Sequence, residues 1–469
     1  MITELWRLDA SEQARLIRKG AISSVELTKE TLARVDAVNP KINAIVDLMA
    51  GEALAAAEEA DKKTRAGSPL GLLHGVPVTV KINVDFAGRA NTNGVVAYKD
   101  NICKEDNPVV SNLKKSGAII IGRTNTPAFS MRWFTDNALH GRTLNPWDKG
   151  VTPGGSSGGA AASLITGMGA IGHGNDIGGS IRYPAYACGL QGIRPSFGRV
   201  PTFNPSLPAE RPHVAQYASM QGPLARSIRD LRISLDAMAA RDTRDPLWIP
   251  LPPVNVPNGR PTKVALFDEW SGCKADPQVA DALKKSAQWL EDAGYIVERA
   301  APPFFEDANQ LWLRLVLNEG RFGMNQAIAQ FGDDAIKKSY SSKEGIIPEL
   351  DLETFVKELA LRSKYLRAWN EFFEKYPVLL LPSSWKQPFP IDADLNGGNA
   401  FVDLADAQSP QLATPILGLP GVAVSTGLAD GVPMGVQLVT ARFEETKALD
   451  AAEVIEACAP PVEVIDPKF

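Results

Sequence analysis

The first 70 residues have the hydrophobic spacing of amphipathic helices. An apolar stripe follows the capping-box pair Ser23 and Glu26, and is formed by Val25, Leu32 and Val35. We expect this helix to end before Pro40, because proline disfavours a helical conformation in the preceding residue. A second stripe predicts a helix that ends near Gly67; its small residues are Ala53, Ala56, Ala57 and Ala60.

Short runs of β-branched and aliphatic residues predict buried strands in both halves of the chain. These runs are residues 76–80, 118–121, 263–267, 378–381, 422–424 and 434–439. A helix that opens at Asp276-Pro277 and an aromatic-rich helical stretch at about 300–375 lie between the later runs. Because strands alternate with helices, we expect an α/β fold with a large mixed central sheet surrounded by helices. Six prolines between positions 246 and 261 predict a surface connection.

The composition is that of a globular protein. Its 44% hydrophobic and 22% charged residues exclude a disordered or fibrous chain. A net charge of −5 gives no electrostatic basis for binding nucleic acid or an anionic membrane. The N-terminal segment has no apolar core of signal-peptide length, and no apolar run reaches the ~20 residues that span a bilayer. The four cysteines are widely spaced, so we expect a cytoplasmic protein with reduced thiols.

Serines lie among glycines twice, in residues 152–159 and 174–182. Three interpretations compete: a structural turn, a phosphate-binding loop and a loop that presents a nucleophilic serine. A P-loop has Lys and then Ser or Thr after its last glycine, whereas Ala160 and Ala161 follow Gly159. Glycine-rich loops can also direct backbone amides at one point, as an oxyanion hole requires.

The scarcity of histidine bears on the choice of a base for such a serine. The first segment contains Gly-x-Ser-x-Gly, the nucleophile motif of α/β-hydrolases, in which an acid and then a histidine follow the serine. Only His173 and His213 follow Ser156, the first inside the glycine-rich segment and the second too early for an intervening acidic strand. His74 and His140 lie upstream, an order that other folds use. A Ser-His-Asp triad is still disfavoured, and lysine becomes the candidate base, since burial can lower its pKa.

Lys81 closes the apolar run 76–80. Taken alone, it is better explained as a strand-end lysine whose ammonium group reaches water. Its combination with Ser156 and Ser180, however, resembles the amidase signature hydrolases. The segments that carry this resemblance are residues 73–81, 122–127, 141–147, 152–159, 174–182, 184–192, 221–226 and 431–437.

The resemblance implies a single amidase domain over residues 1–469 with the amidase signature fold. It also implies a Ser-Ser-Lys triad, in which Ser180 matches the nucleophile, Lys81 the base, and Ser156 the bridging serine with a cis peptide bond. The backbone amides that match the oxyanion hole are those of Ile177, Gly178, Gly179 and Ser180. The segment from about 300 to 400 carries little of the pattern, and we expect it to be mostly helical, variable and to shape the substrate pocket.

Three further residues are candidates for the wall of the substrate pocket. Ser130 and Met131 match positions that line the acyl side. Trp133 has two interpretations, packing in the core or an aromatic wall that suits aryl substrates. Trp312 and Trp369 are further aromatic candidates that the sequence does not place.

Three positions depart from the family's pattern. Ile82 stands where an acid is usual after the lysine, and Asn175 where serine or threonine is common. Tyr183 stands where the glutamine-using members carry glutamine, which argues against the glutamyl-tRNA amidotransferase subunit.

The sequence thus predicts a serine hydrolase that cleaves C–N bonds of small-molecule amides through an acyl-enzyme. Carbamates (urethanes), anilides and esters are further substrate classes within the resemblance. We expect no cofactor, no metal, and no nucleic-acid or membrane partner, and a homodimer stays open. The alternatives are an amidotransferase subunit with glutaminase activity and a non-catalytic binding protein on the same scaffold; the joint presence of Lys81, Ser156 and Ser180 argues against the latter.

Overall fold

Eleven strands join into one mixed sheet in the computed structural model, which describes residues 4–257, 261–343 and 345–469. Residues 1–3 of the N-terminal segment considered above lie outside this description. The strands are β1 Ile45–Leu48, β2 Pro77–Lys81, β3 Ile119–Thr124, β4 Ile171–Asp176, β5 Gln191–Arg194, β6 Met220–Ala225, β7 Lys263–Leu266, β8 Ile296–Arg299, β9 Val378–Pro382, β10 Gly421–Ala429 and β11 Val432–Val439. Their order is β1-β3-β2-β4-β6-β5-β10-β11-β9-β7-β8. The predicted fold class is confirmed.

Sixteen helices surround the sheet within the described ranges. They are α1 Ala10–Arg18, α2 Ser24–Ile42, α3 Ala50–Arg65, α4 Pro108–Lys115, α5 Gly158–Ile165, α6 Arg182–Cys188, α7 His213–Ala218, α8 Ile228–Met238, α9 Pro277–Asp292, α10 Phe305–Gly320, α11 Met324–Phe331, α12 Asp334–Ser341, α13 Leu352–Lys375, α14 Ala400–Ala407, α15 Ser409–Leu417 and α16 Glu445–Cys458. The helical prediction for residues 300–375 is confirmed by α10 to α13. None of the helices described combines the length and hydrophobicity needed to cross a membrane.

Helix α2 begins as the sequence predicts but ends later. Ser23 and Glu26 form both hydrogen bonds of a capping box. The expected end before Pro40 is wrong, because the helix continues to Ile42. Pro40 lies in the last turn, and both Pro40 and Asp36, whose carbonyl group would accept the hydrogen bond that proline cannot donate, are exposed residues. Helix α3 ends at Arg65, just before Gly67 with its φ of 65°, as predicted.

Strands β2 and β4 carry residues of the candidate site at their carboxyl ends. β2 lies between β3 and β4, parallel to both, and all five of its residues are buried. Because β2 and β4 run parallel, their carboxyl ends meet at the same edge of the sheet. This brings Lys81, the last residue of β2, beside Asn175 and Asp176 at the end of β4.

The proline-rich stretch separates the two halves of the sheet in sequence. Within it, described residues 239–257 and 261–262 form no helix or strand. The chain resumes with β7, which pairs in parallel with β8 and β9 at the far side of the sheet.

Candidate active site

The amino group of Lys81 is surrounded by three polar side chains. Its Nζ lies 2.6 Å from Ser156 Oγ, 3.1 Å from Ser157 Oγ and 2.8 Å from Asn175 Oδ1. The whole side chain is inaccessible to solvent. The structure therefore brings together Lys81 and Ser156, which are 75 positions apart in the sequence.

Burial lowers the pKa of Lys81 well below its usual value, and the negative charge of Asp176 only partly opposes this effect. Asp176 is itself paired: its carboxylate accepts hydrogen bonds from Arg182 Nε and Nη2, each at 3.0 Å. Its charge is thus compensated by a neighbour other than the lysine. The environment favours the neutral amine, the form that can accept a proton.

The hydrogen-bonding capacity of a neutral lysine matches its three neighbours. Asn175 donates through Nδ2 to Asn83 Oδ1 at 3.0 Å, so its Oδ1 faces Lys81 as an acceptor only. A neutral amine has two N–H groups and one lone pair. When the N–H groups are donated to Asn175 and Ser157, the lone pair is directed at the hydroxyl group of Ser156.

Ser156 lies in a tightly packed turn before α5. The Gly155–Ser156 peptide bond is cis, as the family resemblance implies. A side chain at Gly155 would collide with the backbone carbonyl oxygen of Arg132, and Gly154 adopts a φ of 81°. Glycines at these two positions therefore allow the turn to approach its neighbour.

Ser180 lies in the loop between β4 and α6 and lines a cavity, with 7% of its surface exposed. Asp176 holds this loop, since its Oδ1 accepts from the Gly179 amide at 2.8 Å and its Oδ2 from the Ile181 amide at 3.1 Å. The Oγ atoms of Ser156 and Ser180 form no hydrogen bond with each other in the described structure. Lys81 thus contacts the predicted bridging serine directly, and Ser180 lies on the adjoining loop.

The predicted oxyanion amides fall into two groups. The amide of Gly179 is engaged by Asp176, which differs from the expectation that all four amides face a substrate oxygen. The amides of Ile177, Gly178 and Ser180 have no acceptor among the described residues. These three are the donors available for a developing negative charge.

Two tryptophans fix the carbonyl side of the same loop. Trp312 Nε1 donates to the carbonyl oxygen of Ile177 at 2.6 Å, and Trp133 Nε1 donates to that of Gly178 at 2.8 Å. In a trans peptide the C=O and the following N–H point in opposite directions. The N–H group of Gly178 therefore points away from Trp312. In the next peptide group, Trp133 binds the carbonyl oxygen of Gly178 and Asp176 binds the N–H group of Gly179.

The cavity at Ser180 combines the predicted acyl-side residues with the segment that follows residue 300. Ser130, Met131 and Trp133 line it from one side. The other side is built by the 300–404 region, with Trp312, Val316, Leu317, Ser339, Lys343, Asp394, Phe401 and Leu404. Trp369, in contrast, is completely buried and packs on Phe373.

A chain of amide and hydroxyl groups links the pocket wall to Lys81. Ser130 Oγ donates to Asn93 Oδ1 at 2.7 Å and accepts from Asn83 Nδ2 at 2.9 Å. Asn83 in turn accepts from Asn175. Asn83 and Ser157 are not among the candidates that the sequence indicates, although each lies within two positions of a predicted triad residue.

His173 and Tyr183 are two further residues that the sequence singles out. Neither is a candidate base, and neither lines the cavity. His173 is fully buried, and its Nδ1 accepts from the Lys81 amide at 3.3 Å while its Nε2 pairs with Gln221 at 2.8 Å. Burial lowers the pKa of His173 to about 3, so the ring is neutral. Tyr183 is also fully buried, and its hydroxyl group accepts from the Phe389 amide at 3.1 Å.

Comparisons with known proteins identify the family of this chain. A family model described as Amidase matches residues 26–449. An indoleacetamide hydrolase of Bradyrhizobium diazoefficiens is 46% identical over 462 residues, which cover 96% of this chain and 86% of that protein. One subunit of the glutamyl-tRNA(Gln) amidotransferase of Heliobacterium modesticaldum is 30% identical over 487 residues, 97% of each chain. A solved bacterial aryl acylamidase of the amidase signature family matches with a TM-score of 0.84 at 25% identity, covering 97% of this chain and 96% of that one.

The chain therefore belongs to the amidase family. The resemblance deduced from its motifs is confirmed, and the family match includes the strands and loops that carry Lys81, Ser156 and Ser180.

Proposed function

We propose that this protein hydrolyses small amides through an acyl-enzyme on Ser180, with Lys81 as the base and Ser156 as the proton bridge between them. The observation that carries the proposal is the buried amine of Lys81, which lies 2.6 Å from Ser156 Oγ and whose pKa burial lowers well below its usual value. A lysine in this state can accept a proton near neutral pH.

The reaction begins with two coupled proton transfers. Lys81 Nζ accepts the proton of Ser156 while Ser156 Oγ takes that of Ser180, which requires a rotation of a hydroxyl group to close the second link. Ser180 Oγ then forms a bond to the carbonyl carbon, and the negative charge develops on the carbonyl oxygen. The free amides of Ile177, Gly178 and Ser180 stabilise that charge.

The second half reverses the proton path. The proton held by Lys81 returns through Ser156 to the leaving nitrogen as the C–N bond breaks, and the amine departs. Water then gives a proton to the same relay and attacks the acyl-enzyme, which releases the carboxylic acid and restores Ser180.

The pocket favours an arylacetamide-type acyl group. Trp133, Trp312 and Phe401 supply aromatic walls beside Ser180, and the relative at 46% identity is an indoleacetamide hydrolase. Anilides and esters with the same acyl group would give the same acyl-enzyme, and aryl-bearing carbamates would place a carbonyl carbon of the same reactivity class before Ser180, so all three belong in one substrate panel.

The test measures hydrolysis of phenylacetamide and indole-3-acetamide by the wild type and by Ser180→Ala. We expect turnover by the wild type and a loss of at least 10³-fold in the variant, with an unchanged circular dichroism spectrum. Ser163→Ala is the matched control, because this buried serine lies in α5 away from the cavity. An active Ser180→Ala enzyme would refute the nucleophile.

The second candidate function is that of an amidotransferase subunit, which the 30% identity to a component of glutamyl-tRNA(Gln) amidotransferase favours. Tyr183 opposes it, because this residue stands where the glutamine-using members carry glutamine. Release of ammonia from glutamine at a higher kcat/KM than from phenylacetamide would favour this second function over the first.

A further inference from the structure

Two cationic side chains in the cavity wall have donor groups without a protein acceptor. Lys343 Nζ has no hydrogen bond or ion pair with any of the described residues, and lies 4.6 Å from the ring centre of Tyr340 and 5.2 Å from that of Phe401. Arg132 Nη1 is buried and also lacks an acceptor there. Both residues line the same cavity as Ser180.

The third charged residue of the cavity, Asp394, does not satisfy these donors. Its two oxygens accept from Arg132 Nε at 2.7 Å and Arg132 Nη2 at 2.8 Å, so its charge is compensated by a bidentate pair. Asp392, next to it, contacts Arg132 at 3.3 Å and Arg142 at 2.6 Å. The cavity itself is lined by two positive charges and one negative charge, and Lys343 has no ion pair with a carboxylate among the described residues.

Lys343 is half-buried, so its amine keeps some access to water, and the rings of Tyr340 and Phe401 also stabilise its charge. Burial lowers the pKa of Lys343 to about 8, while Asp394 acts to raise it and Arg132 to lower it. The amine is therefore mainly protonated at pH 7. Its N–H groups and Arg132 Nη1 together form a donor set that an anion would satisfy.

We infer that the cavity accepts arylacetamides that carry a carboxylate at the end remote from the scissile bond, and that Lys343 and Arg132 bind this carboxylate. The inference rests on the proposed function for the identity of the scissile group. The expected substrate is therefore an aromatic compound that carries one amide group and one carboxylate.

The test uses equilibrium binding, so that it does not depend on turnover. Calorimetry on Ser180→Ala compares phenylacetamide with 3-carboxyphenylacetamide and 4-carboxyphenylacetamide, and with their methyl esters, which keep the size but remove the charge. We expect at least one acid to bind about tenfold or more tightly than phenylacetamide and than its own ester, a difference of about 1.4 kcal/mol.

Variants of Lys343, made in the Ser180→Ala background, show whether Lys343 causes the preference for the acid. Lys343→Met is expected to remove the preference for the acid, and Lys343→Arg to retain most of it. Lys338→Met is the matched control, because Lys338 is exposed on α12 and does not line the cavity. If Lys343→Met is poorly folded by circular dichroism, Lys343→Gln replaces it.

Two results would overturn the inference: equal affinities for acid and neutral amide in the parent, or an acid preference that survives Lys343→Met. Hydrolysis of phenylacetamide by the wild type is measured in parallel. If that hydrolysis occurs while the acid preference is absent, only this inference fails. If the preference is present but no amide is cleaved, the proposed function fails and the anion site stands.

Discussion

Lys81 Nζ lies 2.8 Å from Asn175 Oδ1, an oxygen that can accept a hydrogen bond but carries no formal charge. The orientation of this amide is fixed, because its Nδ2 donates to Asn83. A neutral acceptor at this distance orients the amine without the strong stabilisation of the ammonium form that a carboxylate would give. Asn175 is thus a positioning residue, and it stands where the family commonly has serine or threonine.

Asn175→Asp should raise the pKa of Lys81, because a carboxylate within hydrogen-bonding distance favours the charged amine by about 1–3 pKa units. The pH at which kcat/KM falls on the acid side should move up by about one unit or more. The measurement is the pH profile of phenylacetamide hydrolysis. Asn175→Ser, which restores a neutral group, should keep the wild-type profile, and an unshifted profile for Asn175→Asp would exclude the amide as a determinant of the lysine pKa.

Lys81 should also make stability depend on pH. The folded protein holds a neutral amine, whereas the unfolded chain binds a proton up to a pKa of about 10.4. Between the lowered folded pKa and that value the unfolded state binds more protons, so the contribution of Lys81 to stability rises with pH, by at most about 1.4 kcal/mol per pH unit. Urea unfolding of wild type and Lys81→Met at pH 7 and 9 should show the wild type gaining relative to the variant, and parallel curves would contradict a neutral Lys81.

Trp312→Phe should lower kcat by about tenfold or more and change KM much less. The phenyl ring keeps the aromatic wall but loses the N–H group that holds the Ile177 carbonyl, and with it the direction of the Gly178 amide. Trp369→Phe is the control, because that ring lies in the core away from the cavity. A Trp312→Phe enzyme with a wild-type kcat and a raised KM would make the tryptophan a substrate contact only.

Arg182→Met should destabilise the fold by about 3–5 kcal/mol, because it leaves the buried carboxylate of Asp176 without its main partner. Urea denaturation measures the loss. The exposed pair of Lys357 and Glu353 on α13 provides the contrast, since Lys357→Met should cost less than about 1 kcal/mol. A similar small loss for both variants would mean that Arg194 and the backbone amide donors are enough to hold Asp176.

The sequence predicts six strands from continuous apolar runs, and it misses strands that lack such a run, β4 among them. β2 is a run of buried, mostly β-branched residues, and its predicted bounds agree within one position. β4 has the sequence Ile-Gly-His-Gly-Asn-Asp, which contains no apolar run, yet five of its six residues are buried. Its polar groups are satisfied by Gln221, Lys81 and Arg182, partners that come together with β4 only in the fold.

The features of the site likewise divide into those that the sequence predicts and those that it does not. Lysine as the candidate base follows from the residues, but the roles of Ser156 and Ser180 come from the family resemblance. Local sequence cannot place Trp312 at the loop and Trp369 in the core, because both lie in similar helical, aromatic surroundings. The engagement of the Gly179 amide by Asp176 depends on loop geometry that no spacing encodes.

Covalent labelling with a fluorophosphonate, followed by mass spectrometry of the modified peptide, tests the assignment of Ser180 as nucleophile and Lys81 as base. We expect a single adduct on Ser180 in the wild type, none in Ser180→Ala, and labelling slowed by at least about 10²-fold in Lys81→Met. Labelling of a different residue, or an unchanged rate in Lys81→Met, would contradict this assignment.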